Sequence, residues 1–191
     1  MEKLIELVER TRSVRRFDQT KKVDIRQLHY MVEVARLTAS ARNSQPLKYV
    51  TVTNAALCEQ LLRATGWAAS LPDGKPKEGE KPTGYILILH DKTISQNSLW
   101  DQGIVSYTMM LAASEQGLGG CIIATIYRDK MPDLGLPDHL EPVLILGVGY
   151  PCEDIRIVGV SDGATKYYRD AQGTHYVPKR DLSDLLVKEI E

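Results

Sequence analysis

Hydrophobic residues fall into alternating helix-like and strand-like runs along the chain. Residues 2–10 place Leu4, Ile5, Leu7 and Val8 on one broad face, which predicts a short amphipathic helix. The stretch Thr11-Arg12-Ser13-Val14-Arg15-Arg16-Phe17 breaks that period. Asp24 followed three residues later by Gln27 has the spacing of a capping box. The helix it opens turns Leu28, Met31, Val32 and Ala35 inward and runs to about Leu37. A small and polar loop covers residues 38–46, and the β-branched run from Tyr49 to Thr53 predicts a strand. Asn54 suits the cap of a helix through Leu61 and Leu62. Residues 71–84 hold three prolines and three glycines and predict a long loop that moves and borders the functional site. Tyr85 to His90 reads as a buried strand. Ile104, Val105, Thr108, Met109, Leu111 and Ala112 mark the strongest helix, from Asp101 to Gln116, with Gly117 as its stop. Strands follow at Cys121–Ile126 and Val143–Tyr150, the second ended by Pro151. The tail carries the pair Lys179-Arg180 and an amphipathic run that predicts a last helix from about Leu182 to Ile190. No internal repeat is visible, and the pattern as a whole predicts one domain over residues 1–191, a sheet covered by helices.

Composition narrows the function. With 191 residues and 43% hydrophobic positions the chain can bury a sizeable core, which excludes a disordered protein. Net charge is -1, and a dedicated nucleic-acid binder would carry a basic excess. No apolar stretch approaches the roughly 20 residues that span a bilayer, and the N-terminus has no signal-peptide pattern. Cys58, Cys121 and Cys152 are too scattered for a metal site or a C-x-x-C pair, and read as reduced thiols of a cytoplasmic protein. G-x-S-x-G, H-E-x-x-H, P-loop and Rossmann patterns are all absent.

Four segments could carry chemistry. Arg12-Ser13-Val14-Arg15-Arg16 gathers three guanidiniums in five residues. They repel one another unless a phosphate-like anion, or a set of surface acids, sits among them. The loop from Ser40 to Gln45 offers serine, amide and guanidinium groups that suit a planar heterocycle or a polyol, or simply connects helix to strand. Gly117-Leu118-Gly119-Gly120 permits close approach of backbone to a flat ligand, or of one element to another. Lys179-Arg180 could close over the same anion as the first cluster, or cap a surface helix.

Taken together and in order, these segments resemble the nitroreductase family of flavoproteins. Thr11–Phe17 is similar to its R-x-S-x-R-x-F signature, and Ser40–Pro46 to its S-x-x-N-x-Q-P loop. Asp101-Gln102-Gly103 with Leu111–Ala113 and Gly117–Gly119 looks like its central helix and exit turn, and Gly149-Tyr150-Pro151 like its G-Y-P ending. The resemblance implies an α+β, three-layer fold with a mixed, largely antiparallel sheet flanked by helices, in an intertwined homodimer with FMN at the interface. It implies that Arg12, Ser13 and Arg15 hold the FMN phosphate, with Lys179 and Arg180 assisting. Ser40, Ala41, Arg42, Asn43 and Gln45 would contact the flavin of the partner subunit, and the strand at Ile123, Ala124 and Thr125 would run along the ring system. Thr11 stands where many relatives have arginine, which shifts the expected phosphate grip towards Arg12 or Arg16, and Leu47 replaces a common aromatic. The implied activity is ping-pong hydride transfer from NADH or NADPH through FMN to an electron-poor small molecule such as a nitroaromatic or quinone, without a side-chain general acid or nucleophile. A specialised relative (flavin destruction, dehalogenation or enoate reduction) and a non-catalytic anion- or nucleic-acid-binding protein are the alternatives. No membrane or nucleic-acid partner is expected.

Overall fold

A computed structural model describes residues 2–68 and 70–191. Helix α1 spans Glu2–Arg10, and α2 spans Ile25–Arg36 behind the expected capping box. The Asp24 carboxylate accepts from the Arg26 N–H, and the Gln27 side chain accepts from the Asp24 N–H. Strand β1 (Leu47–Val52) precedes α3 (Ala55–Arg63), whose N-terminus is capped by Asn54 through the Leu57 N–H at 3.0 Å. Then come β2 (Gly84–Asp91), α4 (Leu99–Glu115), β3 (Gly119–Ile123) and β4 (Leu140–Gly149).

The four strands form one antiparallel sheet in the order β1-β2-β4-β3. Every residue of β2 is buried, so the sheet is covered on both faces. Alternation along β2 divides the core. Ile86 and Ile88 face α2 and α4 with Leu28, Met31, Met109 and Leu146. Tyr85, Leu87 and Leu89 face α3, Phe17 and Trp67 with Leu61 and Ile145. The result is the three-layer α+β architecture expected from the sequence, with the sheet in the middle.

Two stretches depart from the sequence pattern. The strand expected to reach Ile126 ends at Ile123. Beyond it the chain leaves β4 and pairs with residues 64–66: the Gly66 N–H donates to the Thr125 carbonyl at 2.9 Å and the Tyr127 N–H to the Ala64 carbonyl at 2.8 Å. The helix expected from Leu182 to Ile190 is a single turn, α5, over Leu182–Leu185. Leu182, Leu185, Leu186, Val187 and Ile190 are all exposed, so no surface among the described residues covers the apolar stripe. A helix this short is marginal without such packing.

A small second sheet, absent from the sequence reading, builds the tail. Strand β5 (Ile155–Gly159) runs parallel to β7 (His175–Lys179), and β6 (Tyr168–Arg169) pairs antiparallel on the other side of β7. The N-terminal segment is stitched in between: Ser13 bridges Gly120, and Phe17 bridges Pro151.

Phe17 is fully buried against the end of β4, where a Cβ added at Gly149 would sit 2.8 Å from its Cδ1. Neither the strand nor the ring has room to retreat. Gly149→Ala is expected to lower stability by about 1–3 kcal/mol, read as a lower denaturant midpoint with an unchanged slope.

Candidate active site

The N-terminal arginine segment and the tail meet at one cavity of about 310 Å³. Thr11, Arg12, Ser13 and Arg15 line one side, Tyr167, His175, Val177 and Lys179 the other, and Tyr107, Met110 and Ile122 the floor. The approach is possible because β3 begins with glycine. A Cβ at Gly119 would lie 2.6 Å from Val14 Cγ2, so only glycine lets the 12–16 segment lie along this strand. The Val14 N–H donates to the Gly120 carbonyl at 2.8 Å and fixes the segment there. Thus the glycine turn serves chain packing, one of the two readings its sequence allowed.

The expected phosphate residues do not share one fate. Arg15 is half-buried, donates to the Ser13 carbonyl at 3.2 Å, and lies 5.0 Å from the Tyr167 ring centroid; its Nε is buried without a partner. Arg12 also lines the cavity, but its Nε and Nη2 donate to the Thr11 and Val8 carbonyls and cap the end of α1. Lys179 lines the cavity, and Arg180 lies just beyond β7, exposed and outside the lining. Thr11 is buried and ties α1 to α4 through the Leu7 carbonyl and Ser114 Oγ. Arg16 is not in the cavity: its guanidinium pairs with Asp73 and, at 2.7 Å, with Glu80 of the 71–84 loop. Burial works against the Arg16 charge, yet Glu80 and then Asp73 outweigh it and leave its pKa raised. An arginine already neutralised by two carboxylates is a poor anion ligand, so the grip expected at Arg12 or Arg16 falls away from Arg16.

Behind the cavity lies a cluster that the sequence reading missed. Glu153, 1% exposed, accepts from the Arg15 backbone N–H and from Arg169 Nη2 at 2.7 Å. Arg169 in turn reaches Asp73 at 3.3 Å, which joins the 71–84 loop to the cavity wall. His175 Nδ1 lies 3.7 Å from Glu153 Oε2, beyond a good hydrogen bond. The alternation His175-x-Val177-x-Lys179 was the available signal, since it puts all three on one face of a strand.

The second expected segment stands apart. Ser40, Ala41, Arg42, Asn43 and Gln45 form a short 3₁₀ turn and its exit, and Arg42, Asn43 and Gln45 all hold positive φ (55°, 54° and 50°). Three non-glycine residues in the left-handed region within four positions store strain, a common mark of a functional loop. The loop is held by the Ala41 N–H on Asp101 Oδ1 at 2.9 Å and the Gln45 N–H on Ser40 Oγ at 3.1 Å. Asp101 is buried in the first turn of α4, and its Oδ2 has no partner. It too was missed as a site residue, although a carboxylate one turn before the inward Val105 had to face the interior. Burial, with the Asp101 charge adding, pushes the Tyr49 hydroxyl up to about 12. Cavities of about 260 and 530 Å³ flank this loop and share no residue with the arginine-lined one. Ile123 is buried at the end of β3, and Ala124 and Thr125 are exposed just after it. No group of His, Cys, Asp or Glu suited to a metal occurs among the described residues, and no helix among them is long and apolar enough to cross a membrane.

A model of the nitroreductase family matches residues 8–150. The chain belongs to the nitroreductase family. A curated protein of Archaeoglobus fulgidus assigned as an NADH dehydrogenase/NAD(P)H nitroreductase is 21% identical over 163 residues, 81% of this chain and 88% of the relative. A solved nitroreductase family protein of Clostridium difficile is 27% identical, with a TM-score of 0.60 over 78% of this chain and 84% of its own. A protein of Desulfovibrio desulfuricans assigned as a nitroreductase and solved in complex with FMN has a TM-score of 0.69 at 20% identity, covering 98% of this chain and 97% of its own. The family match stops at Tyr150, so Glu153, Tyr167, Arg169, His175 and Lys179 of the present nitroreductase lie beyond it.

Glu153 gives a test by pH. Burial pushes its carboxyl up, but His175, the Arg15 N–H and Arg169 outweigh burial and hold it at about 2. An unfolded glutamate titrates near about 4.3. The folded-state value is the lower one, so this contribution is complete above about pH 4.3 and disappears as pH falls towards about 2. The loss is roughly 3 kcal/mol. Thermal unfolding of the wild type is expected to weaken across that window more than that of Glu153→Gln, and parallel curves would contradict the assignment.

Proposed function

We propose that this nitroreductase is an FMN-dependent oxidoreductase that transfers electrons from NADH or NADPH to an electron-poor small molecule, such as a nitroaromatic or a quinone. The observation that carries the reading is the cavity joining Arg12, Ser13 and Arg15 to Lys179. Three cationic side chains line it, and the buried Arg15 Nε has no hydrogen-bond partner among the described residues, its guanidinium lying against the Cys121 thiol. A phosphate monoester fits those cations: it supplies negative charge and acceptor oxygens where Arg12, Arg15 and Lys179 supply positive charge and donors. The FMN complex of the Desulfovibrio relative supports the choice of ligand.

When bound, FMN would supply the hydride and electron chemistry, taking a hydride from the nicotinamide and passing electrons to the acceptor that replaces it. The chain's own groups bind and orient. Arg15, with Arg12 and Lys179, would hold the phosphate. Ser40, Ala41, Arg42, Asn43 and Gln45, kept in shape by Asp101, would present amide and backbone groups to the ring system of the cofactor in a second copy. Ile123 and Ala124 would offer backbone to the ring system where β3 stops, next to Thr125, whose carbonyl is already held by the Gly66 N–H. Arg180 is a peripheral cation in this scheme.

A second copy is supported by exposed apolar surface. Trp100 is 74% exposed, and with Ile104 and Tyr107 it forms a stripe at helical spacing along α4. The uncovered leucines and Val187 of the tail add a further apolar strip. A contiguous exposed apolar stripe is the kind of surface that protein–protein contacts cover. Light scattering across a dilution series is expected to give a dimer, and Trp100→Asp combined with Ile104→Asp to give a folded monomer. A wild-type monomer that retains FMN would refute the shared site.

The cofactor reading is tested by titrating FMN and riboflavin into the stripped protein. Arg15→Ala should weaken FMN binding roughly 10- to 100-fold, the worth of one charge-assisted hydrogen bond at about 1.5–3 kcal/mol. Riboflavin, which lacks the phosphate, should lose far less. Arg63→Ala removes only a surface pair with Glu59 and should change neither. Absence of any flavin uptake by the wild type would overturn the proposal.

A further inference from the structure

One group in the cavity wall is not satisfied by its own chain. His175 is 1% exposed, and neither ring nitrogen has a hydrogen-bond partner. It shares the inward face of β7 with Val177 and Lys179, and so lines the same cavity as Arg12 and Arg15. The charged and titratable groups around it come from every neighbouring element. Glu153 approaches from the β4–β5 connection and Arg169 from β6. Tyr167 meets the ring edge-on at 5.4 Å, and Tyr107 lies across the cavity on α4. Arg12 and Arg15 enter from the N-terminal segment and Lys179 from its own strand.

A neutral imidazole carries one N–H. The nearest acceptor is the Glu153 carboxylate at 3.7 Å from Nδ1, which favours the proton on that nitrogen. Nε2 is then a buried acceptor without a partner among the described residues, on a ring that lines the cavity proposed to receive a phosphate. A phosphate oxygen there would face a lone pair, and the contact would be repulsive. One added proton removes the conflict: both nitrogens become donors, one towards Glu153 and one towards the ligand. Before the anion arrives, Glu153 favours a further positive charge on the ring while Arg12, Arg15, Arg169 and Lys179 oppose it. A dianion cancels that opposition.

We propose that His175 takes up a proton from solvent when an anion enters this cavity and donates from Nε2 to it, so that binding of a phosphate monoester is coupled to one proton. The proposal rests on the reading of this cavity as the cofactor's phosphate site. It makes His175 a direct ligand of the phosphate, and Glu153 the positioning residue that fixes the ring.

The test uses the stripped full chain between about pH 7 and about pH 9, where the FMN phosphate is already a dianion. Flavin fluorescence gives the affinities of FMN and riboflavin. Calorimetry in two buffers of different ionisation enthalpy counts the protons. The affinity for FMN is expected to fall with rising pH, approaching roughly tenfold per pH unit, the limit for one linked proton. Close to one proton should be taken up per FMN in the upper half of that range, and riboflavin should show neither effect. His175→Gln keeps an amide donor but cannot titrate, and should bind FMN with a flat pH profile. FMN affinity independent of pH, with no proton uptake, would overturn the proposal and leave the flavin reading standing. A slope that persists in His175→Gln would assign the proton to another group and overturn it equally. No binding of FMN at any pH would overturn both readings. Absence of proton uptake by the wild type overturns the proposal whether or not His175→Gln folds, and His175→Asn supplies a second non-titrating variant to locate the proton.

Discussion

An ionised carboxylate inside a protein must be surrounded by donors, and the tail of this chain is organised around one. Glu153 takes an N–H from the N-terminal segment and a guanidinium from β6, and it lies against a ring from β7. Removing the charge from water costs several kcal/mol, which only such a converging set can offset. The constraint works in both directions. The donors hold Glu153 ionised, and Glu153 holds the donors where they form one wall of a cavity. Arg15 is held twice: its backbone is pinned by Glu153, while its guanidinium lies 5.0 Å from the Tyr167 ring centroid.

The two halves of the proposed cofactor site are built by different physics. The arginine side is electrostatic, and its spare cation was assigned elsewhere when Asp73 and Glu80 captured Arg16. The 40–45 loop is conformational, with three residues held at positive φ by a 3₁₀ turn and by the buried carboxylate of Asp101. Strain of this kind persists only where surrounding structure enforces it. The first half is therefore sensitive to charge, and the second to the packing at the start of α4.

Much of this could be read in the chain itself because it is local. The Asp24–Gln27 box, the Asn54 cap and the apolar periods of α2 and α4 each lie within one or two helical turns, and each formed as expected. The arginine segment and Lys179-Arg180 were both legible as basic clusters that could share one anion, and family likeness added the identity of that anion. What escaped depends on distance. Nothing near Arg16 announces that carboxylates 57 and 64 positions away will claim it. Strands β5, β6 and β7 are short and largely half-exposed, so they lack the clean alternation that marks a strand, and Glu153, Arg169 and His175 were invisible with them. The tail failed in the opposite way. Its helical period is genuine, but periodicity promises a helix only where something covers the apolar side, and among the described residues nothing does.

The contact between the Arg15 N–H and Glu153 spans 138 positions, and the cavity closes only when Lys179 has been added as well. Closures over such distances come late, after local helices and the neighbouring strands have formed. A polypeptide growing from its N-terminus can thus assemble both core layers and the central sheet while still having no place for an anion. If this cavity holds the cofactor phosphate as proposed, cofactor capture belongs to the end of biosynthesis, and a ribosome stalled before β7 would release a chain with a largely complete core and only one wall of the cavity.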